Sequence, residues 1–249
     1  MTKTVLVMIP SYNERDNLEW IVARVRAAEP EAHVLVVDDD SPDGTGVIAD
    51  ALAEADPQVH VLHRARKEGL GRAYIEAMRW GVAHGYQVLV ELDADGSHQP
   101  EQLGRLLERM TVPSDASTGA DERPADLVLG SRWVRGGAVV NWPWYRQAIS
   151  RAGSAYARFV LGLRVRDVTG GYRAFRASAL DRLDLDAVQS HGYAFQVDLL
   201  FRAVGAGLVV VEVPITFVER ERGRSKMSLG IVVEAMLRVT FWAVARRRA

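Results

Sequence analysis

The 249-residue chain contains no cysteine. That absence removes disulfides, thiolate metal sites and cysteine nucleophiles together, and it suits a reducing compartment. Long apolar runs are also missing. The nearest, Leu229 to Ala245, is interrupted by Glu234 and Arg238, whereas a spanning helix needs about 20 predominantly apolar residues. The start, Met1-Thr2-Lys3-Thr4, leads directly into a strand-like segment and lacks the zones of a secretory signal. No charge dominates: the net is −1, so nothing global draws nucleic acid. The six histidines show no metal-ligand spacing. No Gly-x-Gly-x-x-Gly follows the first strand and no Gly-Lys-Ser/Thr occurs, which disfavours a dinucleotide dehydrogenase and a P-loop NTPase.

What is present is an alternation of buried strands and amphipathic helices. Thr4 to Ile9 is a run rich in β-branched residues ended by Pro10, and Val34 to Val37, Val59 to Leu62 and Val88 to Leu92 repeat the pattern. Such runs suit strands covered on both faces. Between them, Leu18, Ile21, Val22 and Val25, then Val47, Ile48, Ala51 and Leu52, then Ile75, Met78 and Val82 recur at helical spacing. Four such alternations with short connections predict an α/β fold with a mostly parallel sheet. Leu127 to Gly130 and Leu208 to Val213 read as further strands, and Phe195 to Val204 as a helix. Trp20 and Trp80 fall in helical patterns and read as core. No internal repeat is visible, and 113–124 reads as a polar surface loop.

Ligands of parallel sheets sit beyond the carboxyl ends of the strands. The polar clusters Tyr12 to Asn17, Asp38 to Asp43 and Asp93 to Ser97 all fall at such ends. In the last, two aspartates lie one residue apart after a strand. On an extended segment side chains at i and i+2 point the same way, so Asp93 and Asp95 are predicted to share a site. Paired carboxylates repel unless a cation or proton intervenes. A divalent ion completed by substrate phosphates fits that spacing. The plain alternative is a solvated Asp/Gly turn.

Taken in order, several short motifs resemble a known family: Ile9-Pro10-Ser11-Tyr12-Asn13-Glu14; Val37-Asp38-Asp39 with Ser41-Pro42-Asp43-Gly44-Thr45; Gly69-Leu70-Gly71; Asp93-Ala94-Asp95; Gly130-Ser131-Arg132; Asp167 to Arg173; and Glu219-Arg220 with Gly223-Arg224-Ser225-Lys226. The set resembles the family 2 inverting glycosyltransferases of the GT-A fold, and within them the polyprenol-phosphate (dolichol-phosphate) mannose synthases. The resemblance implies a Rossmann-like nucleotide-diphospho-sugar transferase fold with helices on both faces of the sheet. It also implies one catalytic domain with a nucleotide-binding half (1–110), an acceptor-binding half (125–226) and a C-terminal amphipathic, membrane-associating helix (227–249).

The implied reaction moves mannose from GDP-mannose to a polyprenyl phosphate. The resemblance assigns Pro10, Tyr12, Glu14, Val37 and Asp39 to the nucleoside, and Asp93, Ala94 and Asp95 to the diphosphate. Asp93 and Asp95 are the implied ligands of a Mg²⁺ or Mn²⁺ cofactor, with Ser97 or Gln99 as alternative third ligands. Arg132, Arg220 and Lys226 complete the nucleotide-sugar site. Arg132, Arg146 and Lys226 receive the acceptor phosphate, and Asp93, Asp95 and Arg132 are the catalytic set. Asp167 to Arg173 has Gly170 where the family pattern suggests serine, so that loop stays outside the site. Gln196 and Asp198 are candidates one layer behind it.

Each assignment has a plain counterpart. Read alone, Arg132 and Arg146 suit an ordinary surface, Arg220 and Lys226 a solvated charge run, Tyr12 a core, and His98 a turn. A lipid acceptor calls for membrane contact. Ile149, Ala152, Tyr156, Phe159, Val160 and Leu163 form one helix face, and Met227 to Ala249 an amphipathic tail, both with flanking arginines. Trp142, Trp144 and Trp242 suit headgroup depth. These features predict peripheral attachment at the cytoplasmic side of a membrane, with an integral membrane partner as a further candidate. Three other readings stay open: a UDP-glucose enzyme acting on the same lipid, a non-catalytic nucleotide-sugar-binding membrane scaffold, and a binder of anionic lipid through Arg246 to Arg248.

Overall fold

A computed structural model describes residues 4–111, 124–188, 192–220 and 236–242. The first half alternates as the apolar runs predict: β1 (Val5–Ser11), α1 (Leu18–Ala28), β2 (His33–Asp38), α2 (Thr45–Ala55), β3 (Val59–His63), α3 (Leu70–Ala83), β4 (Val88–Glu91) and α4 (Leu103–Thr111). The second half adds β5 (Leu127–Ser131), β6 (Ala138–Val140), α5 (Trp144–Leu161), β7 (Arg173–Arg176), α6 (Ala177–Leu180), α7 (Tyr193–Gly205), β8 (Val210–Pro214) and β9 (Thr216–Val218). A helical segment spans 236–242.

Seven strands form one sheet in the order β3-β2-β1-β4-β7-β5-β8. Every pairing is parallel except the two made by β7, which runs against both β4 and β5. Strand order reverses at β1, which lies between β2 and β4. The carboxyl ends of those three strands therefore open on one crevice. β6 and β9 pair separately as a small parallel ribbon.

The period of two along β1 explains why its sequence is apolar throughout. Leu6 and Met8 join a core with Tyr74 and Met78 of α3 and Phe195 of α7, whereas Val7 and Ile9 join one with Leu18 and Ile21 of α1. Each such buried aliphatic side chain contributes about 1.5–3 kcal/mol. α3 packs especially close: a Cβ at Gly81 would stand 2.5 Å from the Leu89 side chain and 2.9 Å from that of Leu6.

Four expectations need correction. β1 continues through Pro10 to Ser11, because the β1–β2 register runs on through Pro10↔Val37 and Ser11↔Asp38. β4 stops at Glu91, so Asp93 and Asp95 lie on a turn and not on an extended segment. Trp20 is not core. It is 47% exposed on α1, with the Arg24 guanidinium 4.6 Å from its ring centre. The apolar face of α5 is open, with Ile149 exposed and Phe159 90% exposed, and Ser154, Ala157 and Leu161 are buried on the other side, but Leu163 does not belong to that face. Gly162, with φ +70°, ends the helix, and Leu163 lies buried beyond it.

Candidate active site

The loops after β1 and β2 are laced together by backbone donors. The Asn13 N–H donates to Ser41 Oγ (3.1 Å), that of Glu14 to Thr45 Oγ1 (3.0 Å) and that of Arg15 to Asp43 Oδ2 (3.2 Å). Asp43 Oδ1 accepts from the Thr45 N–H (3.0 Å) and hydroxyl (2.6 Å). Burial opposes ionisation of Asp43, but these donors outweigh it and hold the carboxyl below its ordinary value. Asn13 and Asp40 both adopt φ +57°. Asn and Asp tolerate that left-handed conformation best among non-glycine residues, and two instances flanking one crevice mark strain where a ligand would sit.

Within this frame Tyr12 is half-buried, with Lys67 Nζ 3.7 Å above its ring centre, so it is not simple core packing. Pro10 is half-buried at the crevice floor, while the Val37 side chain is fully enclosed in the core. Glu14 accepts from Asn17 Nδ2 (2.8 Å). Asp39 is buried against Arg64, whose guanidinium also meets Glu68 (3.1 Å) and Glu76 (3.0 Å). Burial raises the Asp39 pKa even against the Arg64 charge.

The turn after β4 carries the paired acids. Asp93 Oδ1 accepts from the Tyr74 hydroxyl (3.3 Å), and the Asp93 N–H donates to His98 Nδ1 (3.3 Å). That bond leaves the imidazole proton on Nε2. His98 is buried, stacks on Tyr172 (5.1 Å) and meets Phe217 edge-on (5.5 Å). Burial depresses the pKa of His98. It lies beyond the turn in which the sequence suggests it, in an isolated antiparallel bridge to Phe217, and forms the floor under Asp93. Asp95 Oδ1 accepts from the Ser97 N–H (3.0 Å), and Oδ2 pairs with Arg220 (3.1 Å). The Asp93 carboxyl is raised by burial and by Asp95, against the pull of His98 and Arg220. Gly96 (φ +74°) makes the turn, and a Cβ there would stand 2.5 Å from the Trp20 ring. Both ends of the Gln99 amide are engaged, by Gly96 O (2.9 Å) and by Arg24 (2.8 Å).

Arg132 is buried in a bidentate ion pair with Asp167, Nε to Oδ2 and Nη2 to Oδ1 at 2.7 Å each. The Arg132 N–H adds a third bond to Asp167 (2.9 Å), and Nη2 also reaches Thr169 Oγ1 (3.1 Å). Burial alone would raise Asp167, yet the Arg132 charge holds it below its ordinary value. Asp167 thus orients a candidate catalytic arginine, although sequence reading left its loop aside. Gly170 suits its place: a Cβ there would meet Gly130 O at 3.1 Å and the Asp167 carboxyl carbon at 3.4 Å. Arg146 pairs with Glu219. The Arg146 and Arg132 guanidinium carbons lie 5.0 and 5.4 Å from the same Trp142 ring centre. Phe217 touches His98, Trp142 and Arg132. Phe217 therefore joins the floor of the acidic turn to Arg132 directly and to Arg146 through Trp142.

Behind the site, Gln196 Nε2 donates to Glu91 Oε2 (3.0 Å), and burial pushes the Glu91 carboxyl up to about 7. The enclosed Arg173 donates to the carbonyls of Val168 (2.9 Å), Gly170 (2.8 Å) and Gln196 (2.7 Å). Asp198 pairs with Arg202 (2.8 Å). Lys226, the Gly223-Arg224-Ser225 segment and Arg246 to Arg248 lie outside the described residues. Arg64, Asp167 and Phe217 are the partners that sequence reading missed. The only signal for Asp167 was its place in the Asp167 to Arg173 motif.

Among the described residues no three or more His, Asp or Glu side chains cluster as a self-sufficient metal cage. Asp93 and Asp95 still offer the two hard oxygen donors that a divalent cation shared with phosphates uses. Burial, and to a smaller extent the Asp95 charge, raises Asp93, and a bound cation would relieve both.

A family profile, Glycosyl transferase family 2, matches residues 6–184. The chain belongs to glycosyltransferase family 2. It is 58% identical to the undecaprenyl-phosphate mannosyltransferase of Micrococcus luteus, over 98% of this chain and 95% of that one. It is 54% identical to the polyprenol monophosphomannose synthase of Mycolicibacterium smegmatis, over 99% and 89%. Among solved structures, a mannosyltransferase from Pyrobaculum calidifontis in complex with GDP-Man and Mn²⁺ superposes with a TM-score of 0.61 at 19% identity, covering 97% of this chain and 64% of that one. A glucosyl-3-phosphoglycerate synthase from Mycobacterium tuberculosis with Mn²⁺ and UDP gives 0.66 at 19%, covering 98% and 80%. These structural matches place the family 2 chain in the GT-A-like fold.

Proposed function

We propose that this family 2 enzyme transfers mannose from GDP-mannose to a polyprenyl phosphate, giving the lipid-linked mannose and GDP. The observation that carries the reading is the approach of two opposed charge sets across Phe217 and Trp142: the Asp93–Asp95 turn, which reaches Phe217 through His98, on one side, and Arg132 over both rings with Arg146 over Trp142 on the other. The named activities of the Micrococcus and Mycolicibacterium relatives supply mannose and the polyprenyl phosphate.

The crevice between the loops after β1 and β2 takes the nucleoside, with Tyr12, Glu14 and Asp39 at its edge. Asp93 and Asp95 hold a divalent cation, Mg²⁺ or Mn²⁺. When bound, that ion neutralises charge on the departing diphosphate. Arg220 sits at Asp95 and is placed to follow the same diphosphate charge. Arg132, locked by Asp167, and Arg146 hold the acceptor phosphate near the sugar. A planar guanidinium fork suits phosphate oxygens. The acceptor is a phosphate monoester whose second pKa is about 6, so it reaches the site ionised at neutral pH. It needs orientation and charge compensation more than a general base.

Among the described residues no helix is long and apolar enough to cross a membrane. The exposed apolar side chains on α5, Trp144 at 79% and Phe159 at 90%, support attachment by lying in the interface. A donor panel tests the reaction: purified enzyme, a short polyprenyl phosphate, and radiolabelled GDP-mannose or UDP-glucose. Lipid-extractable label from GDP-mannose alone is expected. Label from UDP-glucose alone supports the glucosyl alternative, and none from either supports a non-catalytic scaffold. Carbonate washing of membranes should release the protein; retention until detergent is added contradicts peripheral attachment.

A further inference from the structure

A cavity of about 370 Å³ lies beside α5, lined by Trp133, Arg151, Ala155, Arg158 and Arg166. It contains neither Asp93, Asp95 nor Arg132. Three of its five lining residues are arginines and none is acidic. Arg158 Nε and Trp133 Nε1 are both shut off from solvent with no hydrogen-bond acceptor among the described residues. Neither atom reaches into the cavity, so its character comes from three arginines without an acid beside them, a setting that suits an acceptor-rich anion as its occupant. The Arg151 guanidinium carbon lies 4.6 Å from the Trp133 ring centre, which fixes that guanidinium at the cavity wall. The nearby Glu212 carboxylate is engaged, accepting from the Arg166 and Asp167 N–H groups (2.7 and 2.9 Å).

Helix geometry says which anion. Arg151, Ala155 and Arg158 follow one another at four and three residues, a single stripe that reaches back to the exposed Trp144 seven residues earlier. The core face of α5, through Ser154, Ala157 and Leu161, lies on one side of that stripe, and exposed Tyr145, Ile149 and Phe159 lie on the other. A helix resting in a bilayer with its exposed apolar face down carries its flanking arginines at headgroup depth. We propose that this cavity is a second anion site, which adjoins the reaction centre across the Trp133 ring without including its charged residues, and which takes the phosphate of an anionic phospholipid. The proposal rests on the interfacial attachment of α5 given above. The site would orient the enzyme so that the reaction centre faces the membrane that supplies its acceptor.

The test uses full-length protein and vesicles of phosphatidylcholine, alone or with phosphatidylglycerol, in a sedimentation assay. Wild type is expected to bind the phosphatidylglycerol vesicles more tightly. Arg151→Gln and Arg158→Gln should each weaken that binding about fivefold, and Trp133→Phe should weaken it less. Both arginine variants should keep wild-type transfer to a short polyprenyl phosphate in detergent, which also shows that they fold. Vesicle binding unchanged in both variants overturns the proposal. So does arginine-dependent binding of inorganic pyrophosphate with no arginine dependence on vesicles, because the site then serves a free anion. Wild-type lipid binding without any transfer activity would sink the proposed reaction and leave this site standing.

Discussion

Arg132 and Asp167 form a three-point contact, two guanidinium bonds at 2.7 Å and one backbone bond at 2.9 Å, with Asp167 enclosed and Arg132 largely buried. An arginine held this way keeps its charge and loses its freedom. Its guanidinium carbon lies 5.4 Å from each of the ring centres of Trp133, Trp142 and Phe217. Removing Asp167 should therefore act through Arg132. Asp167→Asn is expected to lower kcat about a hundredfold, the scale for a misplaced binding group, with a smaller effect on nucleotide affinity measured by calorimetry. Equal loss in both would mean a general structural role.

The same pair sets a pH dependence of stability. Asp167 is held below its ordinary value of 3.8. The folded state therefore binds its proton less readily than the unfolded chain does. The stabilisation is full above that ordinary value and is lost as pH falls through the lower folded value. Urea midpoints measured on acidification below about pH 4 should fall more steeply for wild type than for Asp167→Asn. Parallel slopes would contradict the assignment.

Arg64 meets Asp39, Glu68 and Glu76 while its own side chain is almost fully buried. Arg64→Met leaves Asp39 buried without its cation and should cost about 3–5 kcal/mol in denaturant unfolding. Adding Asp39→Asn to that variant should recover part of the loss, because the stranded charge is gone. A double variant no more stable than Arg64→Met would argue against the pair as the cause.

Gly96 combines a left-handed backbone with the Trp20 ring where a Cβ would lie. Gly96→Ala should destabilise by at least the backbone penalty of about 1–2 kcal/mol. Trp20→Ala in the same chain should relieve the collision and leave the backbone part. If the double variant is no better than Gly96→Ala, the ring is not the obstacle.

The strand ends were legible because a strand covered on both faces is apolar throughout, so its polar boundary stands out in the sequence. That signal located the loops around Tyr12, Asp39 and Asp93. It did not locate Arg64 or Asp167. Asp39 finds its partner 25 residues on and Arg132 finds its partner 35 residues on; pairings at such separations are made by topology, which local periodicity does not encode. The acidic pair lies beyond the strand, on the turn that follows Glu91, so strand alternation does not set its geometry. Trp20 shows the matching limit for helices: spacing identifies a face, but not whether another element covers it.

The central claim is that Asp93 and Asp95 jointly hold a divalent cation on a nucleoside diphosphate. Anomalous scattering from manganese in crystals grown with GDP tests it most directly. One peak bridging the two carboxylates and the diphosphate is the predicted result. Bound GDP with no peak at that pair, or a peak held by other side chains, would contradict it.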